Sequence, residues 1–80
     1  MVPADQDQWI REAQVELGDR VRVARLHENL TQERLAERAG IDRSTIQRIE
    51  RGTTDAKFSN LLRIACVLRV SVKSLLPPNA

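Results

Sequence analysis

Arg43, Ser44, Gln47 and Arg48 fall within six residues, at spacings that bring all four side chains to one face of a helix. Their shared chemistry is hydrogen-bond donation. Two guanidinium forks, a hydroxyl and a carboxamide are the groups that pair with phosphate oxygens and with base edges. Ile46 and Ile49, with Ile41 just ahead of them, take the other side and would anchor the helix from below. Taken singly, Arg43 and Arg48 are what any solvated helix carries, so their weight depends on the elements around them. Catalysis has no comparable constellation. The chain has one histidine (His27), one cysteine (Cys66), no glycine-rich phosphate loop and no clustered carboxylates. We expect no enzymatic activity, no metal, no cofactor and no small-molecule substrate.

The elements that must hold this face are legible from caps and periodicity. A first helix spans about residues 5–28, its stripe formed by Trp9, Ala13, Leu17, Val21 and Ala24 at spacings of three and four. Gly18 weakens it by about 1 kcal/mol relative to alanine, which makes a break there a possibility. Asn29 suits its left-handed end. Thr31 then caps a second helix, Gln32–Ala39, with Leu35, Ala36 and Ala39 inward. Gly40 supplies a positive φ, and Asp42 caps the third helix, which runs to about Arg51 before Gly52. A carboxylate at that position has a second use, accepting from cytosine in a DNA groove, but capping is the simpler reading. Thr53–Ala56 reads as a loop. Ser59 would cap a fourth helix with the stripe Leu61, Leu62, Ile64, Ala65 and Leu68, and Ser71 a short fifth containing Val72, Leu75 and Leu76. Pro77-Pro78 stops the chain.

Eighty residues form one domain at most, and with only Trp9 and Phe58 aromatic the core must be aliphatic. No sheet-like alternation appears, so the fold class is all-α. A lone cysteine excludes an internal disulfide framework and fits a reducing compartment; Cys66 itself reads as a small, partly buried packing residue. His27 reads as a helix-end residue complementing the dipole. No apolar run approaches the ~20 residues of a membrane span, and Met1–Asp5 has no secretory character, so the expected location is cytoplasmic. Charge is unevenly spread. Residues 1–16 hold four acids and one arginine, whereas residues 17–80 hold twelve bases and seven acids. A basic body with an acidic lead suits a polyanionic partner.

The stretch Leu30–Gly52, LTQERLAERAGIDRSTIQRIERG, has two short helices about a glycine turn, the sequence form of a helix-turn-helix. Here the chain resembles the XRE family, the helix-turn-helix group of lambdoid phage repressors and Cro proteins. The resemblance covers about Leu17 to Leu76. It rests on Arg25, Leu30-Thr31-Gln32, Leu35-Ala36, Gly40, Ser44-Thr45-Ile46, Ile49-Glu50-x-Gly52, Leu61-x-x-Ile64-Ala65-x-x-Leu68 and Val70-Ser71-Val72-x-x-Leu75-Leu76. It implies a five-helix, lambda-repressor-like DNA-binding domain (residues 17–76), here with an N-terminal helical extension (1–16) and a short tail (77–80). It also implies double-stranded DNA as partner and a third helix in the major groove. By position, Gln32 would touch a phosphate and brace the reading helix. Arg43, Ser44, Gln47 and Arg48 would meet base edges, Thr45 would lie near the backbone, and the loop from Thr53 to Lys57 would grip the far side of the groove. Arg25 and Glu50 match a structural ion pair between helices one and three. Arg69 stands where glycine is usual, and Lys57 where proline is common.

The expected function is transcriptional regulation by operator occupancy, with an antitoxin-type autorepressor or a helical protein-interaction module as alternatives. A homodimer is expected, since paired half-sites multiply affinity. Trp9 and Ile10 prolong the apolar stripe past what the core needs, and would be exposed at a dimer contact unless the arm folds back against helix five. The family resemblance also implies a dimer through helix five and Leu75-Leu76, which does not need the arm.

Overall fold

The structure, a computed structural model, describes residues 5–78. The first four residues of the extension and the last two of the tail lie outside it. Five helices follow in order: α1 Gln6–His27, α2 Gln32–Ala39, α3 Arg43–Arg51, α4 Phe58–Leu68 and α5 Val72–Leu75. Among the described residues there is no strand. No described helix is long and apolar enough to cross a membrane.

The cap residues set the boundaries much as their chemistry dictates. Asp5, Thr31 and Ser71 accept from the amides of Gln8, Arg34 and Ser74, tying down the first turns of α1, α2 and α5. The first four helices end on one device. Residues Asn29, Gly40, Gly52 and Arg69 all take left-handed φ, between 58° and 72°. The next amide then reaches back to a carbonyl five residues earlier, as from Ile41 to Ala36 at 3.0 Å. Arg69 adopts this conformation without glycine's freedom, so it carries the steric strain expected of its Cβ.

Several expectations are corrected. α4 begins at Phe58 with Lys57 at its N-cap and no side-chain cap bond, so Ser59 lies inside the first turn instead of capping it. Asp42 stands at the N-cap of α3, but its carboxylate makes no cap bond. Leu62 and Cys66 are exposed on the outer side of α4, because the helix buries only Leu61, Ile64, Ala65 and Leu68.

The core is aliphatic throughout. Val21, Leu35, Ile46, Ile49, Ile64, Leu68 and Leu75 are sealed from solvent, while Phe58 is 62% exposed. α1 does not break at Gly18. A Cβ there would lie 2.7 Å from the Glu50 carbonyl oxygen and nearer still to that of Ile49. The glycine therefore lets α1 cross the end of α3 at backbone contact, and this close packing outweighs its poor helix propensity. The crossing continues at Gly52, where a Cβ would lie 2.5 Å from the Val15 Cα. Val15 belongs to the N-terminal extension, so the extension's last turn is packed on the body. Farther out, Trp9 is half-buried and borders one shallow depression with Ala13 and the buried Pro77. Ile10, 46% exposed, lines an adjoining apolar groove with Leu17, Ala56 and Leu76.

Candidate nucleic-acid interface

The geometry begins with how α3 is held. Arg25, projecting from α1, meets Glu50 in a two-pronged pair: Nε to Oε2 at 2.7 Å and Nη2 to Oε1 at 3.0 Å. The remaining guanidinium nitrogen donates to the Leu30 carbonyl at 2.7 Å, so the same arginine also fixes the turn ahead of α2. Only 10% of the Arg25 side chain and 3% of the Glu50 side chain is exposed. Gln32, at the start of α2, donates from Nε2 to Glu50 Oε1 at 3.0 Å. Three helices therefore converge on one carboxylate. It accepts three hydrogen bonds from partners that cannot be exchanged for water without opening the α1–α3 seam. The pair expected from the sequence is formed, and Gln32 braces α3 through it.

α2 and α3 pack through Leu35, Ala36, Ile46 and Ile49, all buried. The small Ala36 side chain keeps the two axes close, and Gly40 turns the chain between them. With its apolar side thus committed, α3 turns the opposite side outward. Arg43, Ser44 and Arg48 are exposed, and Thr45 and Gln47 half-exposed, so the expected reading residues do lie together on one open face. Arg43 has no hydrogen-bond or ion-pair partner among the described residues. Arg48 makes one long contact, Nη2 to Thr45 Oγ1 at 3.4 Å. Unspent guanidinium donors on a rigid helix are free to meet phosphates or base edges.

The loop after α3 divides in its roles. Lys57 is exposed at the N-terminal end of α4. Thr53 is exposed as well, and its amide and hydroxyl both donate to the Arg48 carbonyl, at 3.1 and 3.4 Å, closing the end of α3. Arg51, in the last turn of α3 and exposed, adds a further positive charge to this side. Sequence reasoning missed the Gly18 and Gly52 crossings that seat α3. The available signal was a glycine inside an otherwise helical pattern, which marks close approach as readily as a break.

A helix-turn-helix family model matches residues 21–75. Among solved structures, the restriction-modification controller protein C.AhdI from Aeromonas hydrophila is similar at 35% identity, over 79% of this chain and 96% of that one, with a TM-score of 0.76. The N-terminal DNA-binding domain of SinR from Bacillus subtilis is similar at 32% identity, over 74% and 87% of the two chains, with a TM-score of 0.72. A hypothetical transcription factor, NHTF, from Neisseria is 29% identical, with a TM-score of 0.77 over 99% of this chain and 89% of its own. No curated protein sequence matches. The family is one of DNA-binding regulators, not of enzymes. With five helices, a braced α2–α3 unit and a match over most of its length, the chain belongs to the XRE-type helix-turn-helix family of DNA-binding transcriptional regulators.

Proposed function

We propose that this regulator is a cytoplasmic repressor that occupies a two-fold operator as a homodimer and blocks transcription by exclusion. The supporting observation is the division of α3 into a buried, ion-paired seat and an open face of unspent donors. In this reading α3 lies in the major groove, with Arg43, Ser44, Gln47 and Arg48 at base edges and Thr45 beside the sugar-phosphate backbone. Gln32, Lys57 and the loop from Thr53 meet phosphates. Residues 17–76 form the reading unit. The helical extension of residues 1–16 contributes to the dimer through the groove beside Ile10, and two copies set their α3 helices about 34 Å apart, one turn of DNA. A second reading draws on 35% identity to a restriction-modification controller over nearly the whole of that chain: control of such a system.

The test is selection from a randomised duplex library, followed by titration at graded salt. A palindromic site is expected, with a log–log salt slope near −5 if about six phosphates are contacted per dimer. A flat salt dependence contradicts the phosphate-anchored complex. Deleting residues 1–14 should yield a monomer that binds half-sites weakly; an unchanged dimer removes the extension from the interface.

A further inference from the structure

Between Ile41 and Gly52 the chain has two acids, Asp42 and Glu50. Glu50 is consumed by Arg25 and Gln32. Asp42 is not. Its backbone does the work of an N-cap, with φ −60° and ψ 140° and its carbonyl accepting from Thr45 and Ile46 at 3.0 and 3.2 Å. Its carboxylate caps nothing, forms no ion pair among the described residues and is exposed. At the same position of α1, α2 and α5, Asp5, Thr31 and Ser71 each spend their side chain on the cap bond. α3 thus carries an uncommitted negative charge at the leading end of a face otherwise made of donors.

Against DNA such a charge has a definite effect. It opposes the phosphates wherever the protein sits, and so lowers affinity for duplex in general. That cost is offset only where a base edge offers a donor. In the major groove cytosine presents its N4 amino group alone and adenine an N6 amino group flanked by the N7 acceptor, whereas guanine presents N7 and O6, and thymine O4, acceptors that a carboxylate repels. We infer that Asp42 is a specificity determinant, accepting from cytosine N4 at one base pair of each half-site and rejecting guanine and thymine there. Discrimination by repulsion suits a small reader, because it weakens the many wrong sites together with improving the right one. The inference rests on α3 being the groove-reading helix.

Asparagine separates this role from capping. It caps a helix about as well as aspartate, but in the groove its carboxamide pairs with adenine N6 and N7. The full-length wild type, Asp42→Asn and Asp42→Ala are each put through selection from a randomised duplex library and a thermal melt. Wild type should select cytosine at one position per half-site. Asp42→Asn should move that position to adenine, with its melt unchanged. Asp42→Ala should lose discrimination there by about tenfold and bind a scrambled duplex more tightly than wild type. Identical selected sequences for wild type and Asp42→Asn, with only Asp42→Ala melting lower, would reduce Asp42 to a cap and overturn the inference. Should Asp42→Ala fail to fold, Asp42→Asn decides alone. If wild type selects no sequence at all, the groove-reading role of α3 fails first, and this assignment with it.

Discussion

On its inner side α3 meets α1 at backbone contact across Gly18 and Gly52, and closes over an ion pair whose atoms are almost entirely hidden. On its outer side, barely one helix diameter away, Arg43, Ser44 and Arg48 stand in solvent with few or no partners. The inner side spends every polar group it has, whereas the outer side holds its polar groups in reserve. The contrast explains how eighty residues present a usable surface. Long arginine side chains lose rotamer freedom on binding, so the helix beneath them must not add a loss of its own. Bracing α3 from α1 and α2 at once removes that second cost.

The comparison breaks most sharply at the seam. Glu50→Ala strands Arg25 in a nearly dry site, and should lower unfolding free energy by about 3 kcal/mol in urea titration. Replacing Arg25 and Glu50 together with apolar residues should cost less than the sum of the single changes, and additive losses would show that the two do not interact. Gly18→Ala is the complementary test. On an isolated helix it would stabilise by about 1 kcal/mol, but here the methyl must push α1 away from the α3 carbonyls, for a net loss of about 2 kcal/mol. A gain in stability would mean that α1 and α3 lie farther apart.

The outer side should respond in the opposite sense. Arg48→Ala is expected to weaken binding to the selected site by about 1–2 kcal/mol, and to relax preference at one base pair, while shifting stability by less than about 0.5 kcal/mol. Lys57→Ala should weaken all duplexes alike, visible as a shallower salt slope. Loss of fold on Arg48→Ala would erase the distinction between the two sides. The smallest effect lies outside both. Arg69→Gly relieves a left-handed Cβ and should stabilise by about 0.5 kcal/mol, net of the extra freedom glycine gives the unfolded chain.

Much of this was readable along the chain because helix ends are local chemistry. Thr31, Ser71, Asn29 and Gly40 act on backbone groups within a few residues, so their positions alone set where helices start and stop. The four outward residues of α3 were equally legible, since a 3.6-residue period fixes which side chains share a face. Where local reasoning failed, a distant element had decided. Leu62 belongs to an apolar stripe on paper, yet it lies at the margin of the α2–α4 contact and stays 48% exposed, and Cys66 beside it is exposed as well. Ser59 has the chemistry of a cap, but the chain enters α4 two residues earlier, at Lys57.

By itself, then, the sequence determined five helices, their ends apart from the start of α4, an aliphatic core and a donor-bearing face on the third helix, all of which follow from periodicity and neighbouring residues. The tertiary structure alone decided that Gly18 is a crossing and not a break, that Val15 and Trp9 pack against the body, and that the Asp42 carboxylate goes unused by its own helix. Each of these depends on what lies across space from the residue, at Ile49 and Glu50, at Gly52 and Pro77, or on which rotamer the side chain takes. Contacts between residues far apart in the chain leave at most an ambiguous mark on local spacing, as Gly18 does. They arise only when helices whose own periodicities are independent close on one core.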